Sequence, residues 1–137
     1  MKLMDKLRKQ HEDILIVVNK IDAGLETATD SEIAESLLNL IGQLGTLLEE
    51  HLRIEDAFLY PALKNRPQAD VRNIASIFSI ELGSIRKAFT EYSEKWTSSK
   101  NIVQSHSYFI SESKVLLGAL QHRIAKEDNE LFPLIET

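Results

Sequence analysis

The chain has 137 residues, enough for one compact domain with a sizeable core. It contains no cysteine, which excludes disulfides, thiolate zinc sites and iron–sulfur clusters and leaves nitrogen and oxygen as donors for any metal. A formal charge of −5, with both signs mixed along the chain, lacks the basic stripe of a nucleic-acid binder. The opening MKLMDKLRKQHED is charged throughout, and the first apolar run, Ile14 to Val18, is too short for the core of a signal peptide. No stretch approaches the ~20 apolar residues of a membrane span. A soluble cytoplasmic protein is expected, one domain over residues 1–137.

Four segments carry helical periodicity. In the first, Leu3, Leu7, His11, Ile14, Val18, Ile21 and Leu25 recur every three or four residues, and Gly24 with 26–30 ends it. The second opens with Thr29 and Glu32 at capping-box spacing and runs through Ile33, Leu37, Leu40, Leu44, Leu48, His51, Glu55 and Phe58 to Pro61. Residues 64–70, with Pro67, form the central loop. The third segment carries Val71, Ile74, Phe78, Leu82, Ile85, Phe89, Tyr92 and Trp96, and residues 97–100 break it. The fourth runs from about Ile102 through Phe109, Leu116, Leu120, Ile124, Glu127 and Leu131 to Pro133. Four amphipathic helices with short connections bury their stripes against one another, so the expected fold is an all-α, up-down-up-down antiparallel four-helix bundle.

The sequence also repeats. Glu55-Asp56-Ala57-Phe58-Leu59-Tyr60-Pro61 matches Glu127-Asp128-Asn129-Glu130-Leu131-Phe132-Pro133. His11 precedes His51 by 40 residues, and Leu82 precedes His122 by the same interval. Two copies of a helical hairpin facing across a pseudo-twofold axis would produce this pattern and bring one ligand-bearing helix from each half to the centre.

Within that frame, His51 and Glu55 lie one helical turn apart on an apolar face continued by Leu44, Leu48 and Phe58. His11 sits on its own apolar stripe between Leu7 and Ile14. Glu127 lies in line with Leu116, Leu120, Leu131 and Leu134. A buried carboxylate is expensive unless it is paired or binds a metal, and inward histidines and glutamates are how carboxylate-bridged metal sites are built in helical bundles. Asp56 and Asp128, directly after the two glutamates, read as exposed groups or as supports behind a ligand. The aromatic residues Phe58, Tyr60, Phe78, Phe89 and Phe132 read as core. His106 lies sixteen residues before His122, too far to share one site, and reads as a surface or helix-end residue.

The elements QHEDILIVVNKID, HLRIEDAFLYPAL and HRIAKEDNELFPLIE resemble the hemerythrin HHE cation-binding family over nearly the whole chain. The resemblance implies a non-haem di-iron centre. His11 and His51 would hold one iron, Glu55 and Glu127 would bridge the pair, and His122 would bind the second. It also implies reversible binding or sensing of dioxygen or a related small ligand. Rival readings are a di-iron enzyme, turning over peroxide or donating iron for cluster repair, and a metal-poor interaction bundle with a degenerate site. A homodimer is left open.

Two departures from the family pattern bear on the second iron. His122 and Glu127 are five apart, about 140° around an ideal helix, and Arg123 holds the place that the repeat pairs with His51. Either a local π-bulge aims His122 inward, or Arg123 and Glu127 form a four-apart ion pair. The third segment has no histidine, and Leu82 stands where the repeat expects one. Its neighbour Glu81, at the same level, is either a substitute oxygen ligand or a solvated rim charge. The expected centre is therefore asymmetric, with a firm position at His11 and His51 and a labile one at His122.

Overall fold

A computed structural model describes residues 2–136. Among these residues the chain is all-helical, with no strand. Helix α1 spans Lys2–Gly24 and α2 spans Ser31–Ile54. A π-helical turn at Glu55–Leu59 leads into α3, Tyr60–Lys64. Helix α4 runs over Ala69–Lys95, α5 over Ser99–Gln104 and α6 over His106–Lys126. A second π-helical turn, Glu127–Leu131, leads into α7, Phe132–Glu136. Each long helix packs on two others: α1 on α2 and α6, and α4 on α2 and α6. No helix among the described residues is long and apolar enough to cross a membrane.

The helix starts follow capping chemistry, one residue away from the expected place at α2. Its N-cap is Asp30, not Thr29; the Asp30 carboxylate accepts from the N–H groups of Glu32 at 2.7 Å and Ile33 at 3.4 Å. The negative charge of Asp30 also favours it over threonine at the positive end of the helix. Ser98 caps α5, its hydroxyl accepting from the Asn101 N–H at 3.1 Å. The fourth segment begins earlier than Ile102 and is broken at Ser105, whose φ of −117° and ψ of 41° interrupt the helix. His106 follows that break, and its Nε2 lies 2.8 Å from the Leu25 carbonyl oxygen, tying the start of α6 to the end of α1.

Both π-turns fall on the repeated Glu-Asp-x-x-Leu motif, and in both the glutamate carbonyl accepts from an N–H five residues on, that of Tyr60 or Phe132. Pro61 and Pro133, just beyond, supply the local cause. A proline inside a helix lacks the N–H owed to the carbonyl four residues back, and its ring crowds that carbonyl. A widened turn relieves both problems. The extra residue also rotates the helical faces beyond it. Phe58, expected on the inward stripe, is 57% exposed, while Leu59, Tyr60 and Leu63 are buried.

Two apolar clusters fill the interior. One holds Ile14, Val18, Ile21, Leu37, Leu44, Leu48, Trp96, Phe109 and Ile124, with the Trp96 ring edge-on to Phe109 at 5.2 Å. The other holds Met4, Leu7, Leu52, Leu59, Leu63, Phe78, Leu82, Leu131 and Phe132. His11 lies between Leu7 of one and Ile14 of the other, and His51 between Leu48 and Leu52. Glu127 lies between Ile124 and Leu131. The ligand-type side chains therefore form a polar layer at the seam of two apolar cores.

The π-turn register is testable by paired truncation. Leu59→Ala should cost about 2–5 kcal/mol, as for a fully buried leucine, whereas Phe58→Ala should change stability by no more than about 0.5 kcal/mol. Urea unfolding of the two variants reads the difference directly; an uninterrupted α-helical register would bring Phe58 as close to the inward stripe as Leu59 and make both truncations costly.

Candidate metal centre

His11, His51, Glu55 and Glu127 converge from α1, α2 and the starts of the two π-turns, and donor atoms from all four lie within 4.8 Å of one another. Their residues are between 0% and 3% exposed. His11 Nε2 is 3.0 Å from His51 Nε2 and 2.8 Å from Glu127 Oε1. His51 Nε2 is 3.3 Å from Glu55 Oε2 and 3.4 Å from Glu127 Oε1. The two rings meet at an interplanar angle of 50°, and Phe132 stacks on His11 at 5.2 Å.

The far sides of both imidazoles are fixed. His11 Nδ1 lies 2.8 Å from Asp128 Oδ1, and His51 Nδ1 lies 2.9 Å from Gln10 Oε1. Both partners are acceptors, so each Nδ1 carries a hydrogen. Each Nε2 faces the other ring and the carboxylates, where it gives a hydrogen to Glu127 when protonated and can give a lone pair to a metal when not. Metal-binding histidines are oriented in this way, by an acceptor on the nitrogen that does not face the ion. Of the two aspartates after the glutamates, Asp128 is thus the one that supports a candidate ligand. Gln10 has no counterpart among the sequence expectations, because a partner across helices leaves no periodic signal.

Electrostatics sharpen the picture. Burial alone would push the His51 imidazolium down, but the Glu127 and Glu55 carboxylates outweigh it and raise its pKa to about 9. Burial opposes ionisation of Glu127 too, yet its hydrogen bonds from His11 and His51 hold it at about 2. Glu55 goes the other way: burial first, and the Glu127 charge second, push it well above the ordinary carboxylate range. Neither Glu55 oxygen has a hydrogen-bond partner, because the 3.3 Å approach to His51 is not aligned as a hydrogen bond. A fully buried carboxylate with both oxygens orphaned is costly unless a cation joins it. Two nitrogen and two carboxylate donors, aimed at one point, fit a metal ion of the kind served by imidazole and hard oxygen. Tyr60, read from sequence as simple core, adds a buried hydroxyl 3.4 Å from Glu127 Oε2, and burial pushes its phenol well up.

The remaining expected ligands are elsewhere. His122 is exposed, and the residue beside it, Arg123, turns inward at 7% exposure. The π-turn that would have re-aimed His122 lies after it, beginning at Glu127, so α6 keeps ordinary helical phase through both residues. Glu81 is not aimed at the cluster either; it forms an ion pair with Arg123. The guanidinium stacks over Phe78 at 5.0 Å, which accounts for its tolerance of burial. The four-apart ion pair between Arg123 and Glu127 does not form, since Arg123 takes Glu81 instead. Asp56, after the first glutamate, is exposed and pairs with Arg86.

No curated protein and no solved structure matches the chain significantly. The hemerythrin HHE cation binding domain matches it over residues 2–135. A buried histidine–glutamate cluster and a family match of that extent agree, and the chain belongs to the hemerythrin HHE cation-binding family.

Proposed function

We propose that the chain is an up-down-up-down four-helix hemerythrin-like bundle that holds non-haem iron through His11, His51, Glu55 and Glu127 and binds or senses dioxygen or a related small ligand. The observation that carries this reading is the pair of Nε2 atoms 3.0 Å apart with both Nδ1 atoms tied to acceptors, beside an orphaned carboxylate. Iron would supply a redox couple and a coordination position for the small ligand. The chain's own residues do the rest. Asp128 and Gln10 orient the imidazoles, Phe132 packs against the His11 ring, and the apolar clusters on either side exclude water. Exclusion of water matters because hydrogen bonds and charges act more strongly in a dry site.

The first test separates binding from folding. Glu55→Leu and Glu127→Ala should each abolish stoichiometric iron while leaving far-UV circular dichroism unchanged. Glu55→Leu should also stabilise the chelated protein by roughly 1–3 kcal/mol, because it removes an unsatisfied buried carboxyl. Full iron content in either variant would sink the ligand assignment.

The second test uses pH. The raised His51 pKa contributes stability to the metal-free fold that is complete below 6.5 and lost as pH rises through about 9. Glu55, also raised, keeps its proton in the fold, so it costs stability as pH climbs above 4.5. Glu127, held at about 2, contributes stability above 4.5 that is lost as pH falls toward 2. The chelated protein should therefore melt highest between about pH 4.5 and 6.5 and weaken toward pH 9. Metal competes with the same protons, so its stabilising increment should grow over the range in which the chelated protein weakens. Calorimetric melts with and without iron would show the two curves diverging as pH rises; parallel curves would place the metal elsewhere.

A further inference from the structure

We propose that this centre takes one metal ion, and that the buried Arg123 guanidinium, paired with the half-exposed Glu81, fills the place a second ion would need. The inference rests on the metal-binding reading above and sets the number of ions in that same site. Its basis is the repeat laid onto the structure. The first half contributes His11, His51 and Glu55; the matching positions of the second half are Leu82, Arg123 and Glu127. Both glutamates start π-turns, so the two halves are built alike at that point. Only the carboxylate survives in the second half. Where the first half offers two imidazoles, the second offers a leucine, which has no donor atom, and a guanidinium, which has no lone pair to give and stays protonated.

The neighbours close off the usual substitutes. His122, one position from Arg123, faces outward and is exposed. Glu81, one position from Leu82, spends its carboxylate on Arg123. Phe78 covers the guanidinium, and Leu82 is buried in the same apolar cluster as Phe78. Nε and Nη1 of Arg123 are buried without hydrogen-bond partners, so its positive charge is committed to the interior on the side of the missing ligands. Arg123 is buried on α6 one helical turn before Glu127, the place on its own helix that His51 holds before Glu55.

Charge balance points the same way. With both glutamates ionised and both histidines neutral, the four ligands carry two negative charges, which one divalent ion neutralises. The Arg123–Glu81 pair is neutral by itself. A second divalent ion would add two uncompensated positive charges next to a buried guanidinium, with no nitrogen donor to receive it.

The experiment counts ions. Wild-type protein is loaded anaerobically with ferrous iron, desalted, and measured by native mass spectrometry and elemental analysis; one ion per chain is expected, falling to none in His11→Ala. After oxidation the iron should give a half-integer-spin ferric signal in electron paramagnetic resonance that accounts for all of it, whereas a coupled ferric pair would be silent. The double variant Leu82→His with Arg123→His, folded by circular dichroism, should rise to two ions per chain. Two ions in the wild type, both lost in His11→Ala, would overturn the single-ion inference and leave the metal site standing. No ion in the wild type would instead overturn the metal reading, and the single-ion inference with it. A folded double variant that still takes one ion would remove Leu82 and Arg123 as the cause. The wild-type count and spectrum need no variant, so the proposal is decided even where the histidine pair fails to fold.

Discussion

The structure turns on the placement of two carboxylates and two imidazoles at the seam of two apolar clusters. Charged groups in such a position cost several kcal/mol each unless something compensates them. Here Glu127 is compensated by both histidines, while Glu55 lies with its oxygens unpartnered. The helices around the seam have to satisfy this layer as well as bury their stripes. That requirement explains why polar side chains outside the layer, Gln10 and Asp128, reach across helix boundaries to meet it.

Proline shapes the layer from a distance. Pro61 and Pro133 each stand two residues past a π-turn that opens on a ligand-type glutamate. The motif thus couples two functions within one short repeat: it delivers a carboxylate inward and resets the helical phase behind it. Leu59 and Leu131 then occupy equivalent buried places, and Tyr60 and Phe132 come after them toward the cluster.

Much of this is legible in the sequence. The periodicity locates the long helices, and the internal repeat pairs Glu55 with Glu127. His11, His51, Glu55 and Glu127 can be read because each is a polar residue at a position where its neighbours demand an apolar one. The features that cannot be read are equally specific. A constant 100° step places Phe58 inward, but the π-turn does not keep that step. Family spacing places His122 inward, while the helix keeps its apolar phase and buries Arg123 instead. Glu81 stands between two roles because the sequence does not show which charge lies opposite it; the answer, Arg123, comes from another helix. Capping-box spacing favours Thr29, and the stronger acceptor, the Asp30 carboxylate, takes the helix end instead.

The carboxylate that orients His11 has a second consequence. Asp128 is bonded to a histidine that is almost wholly buried, yet its own side chain is 36% exposed. The imidazole therefore spans the wall of the core, with one nitrogen in the histidine–glutamate cluster and the other on a group open to solvent. The hold on a buried ring thus lies partly at the surface, on a carboxylate that solvent reaches.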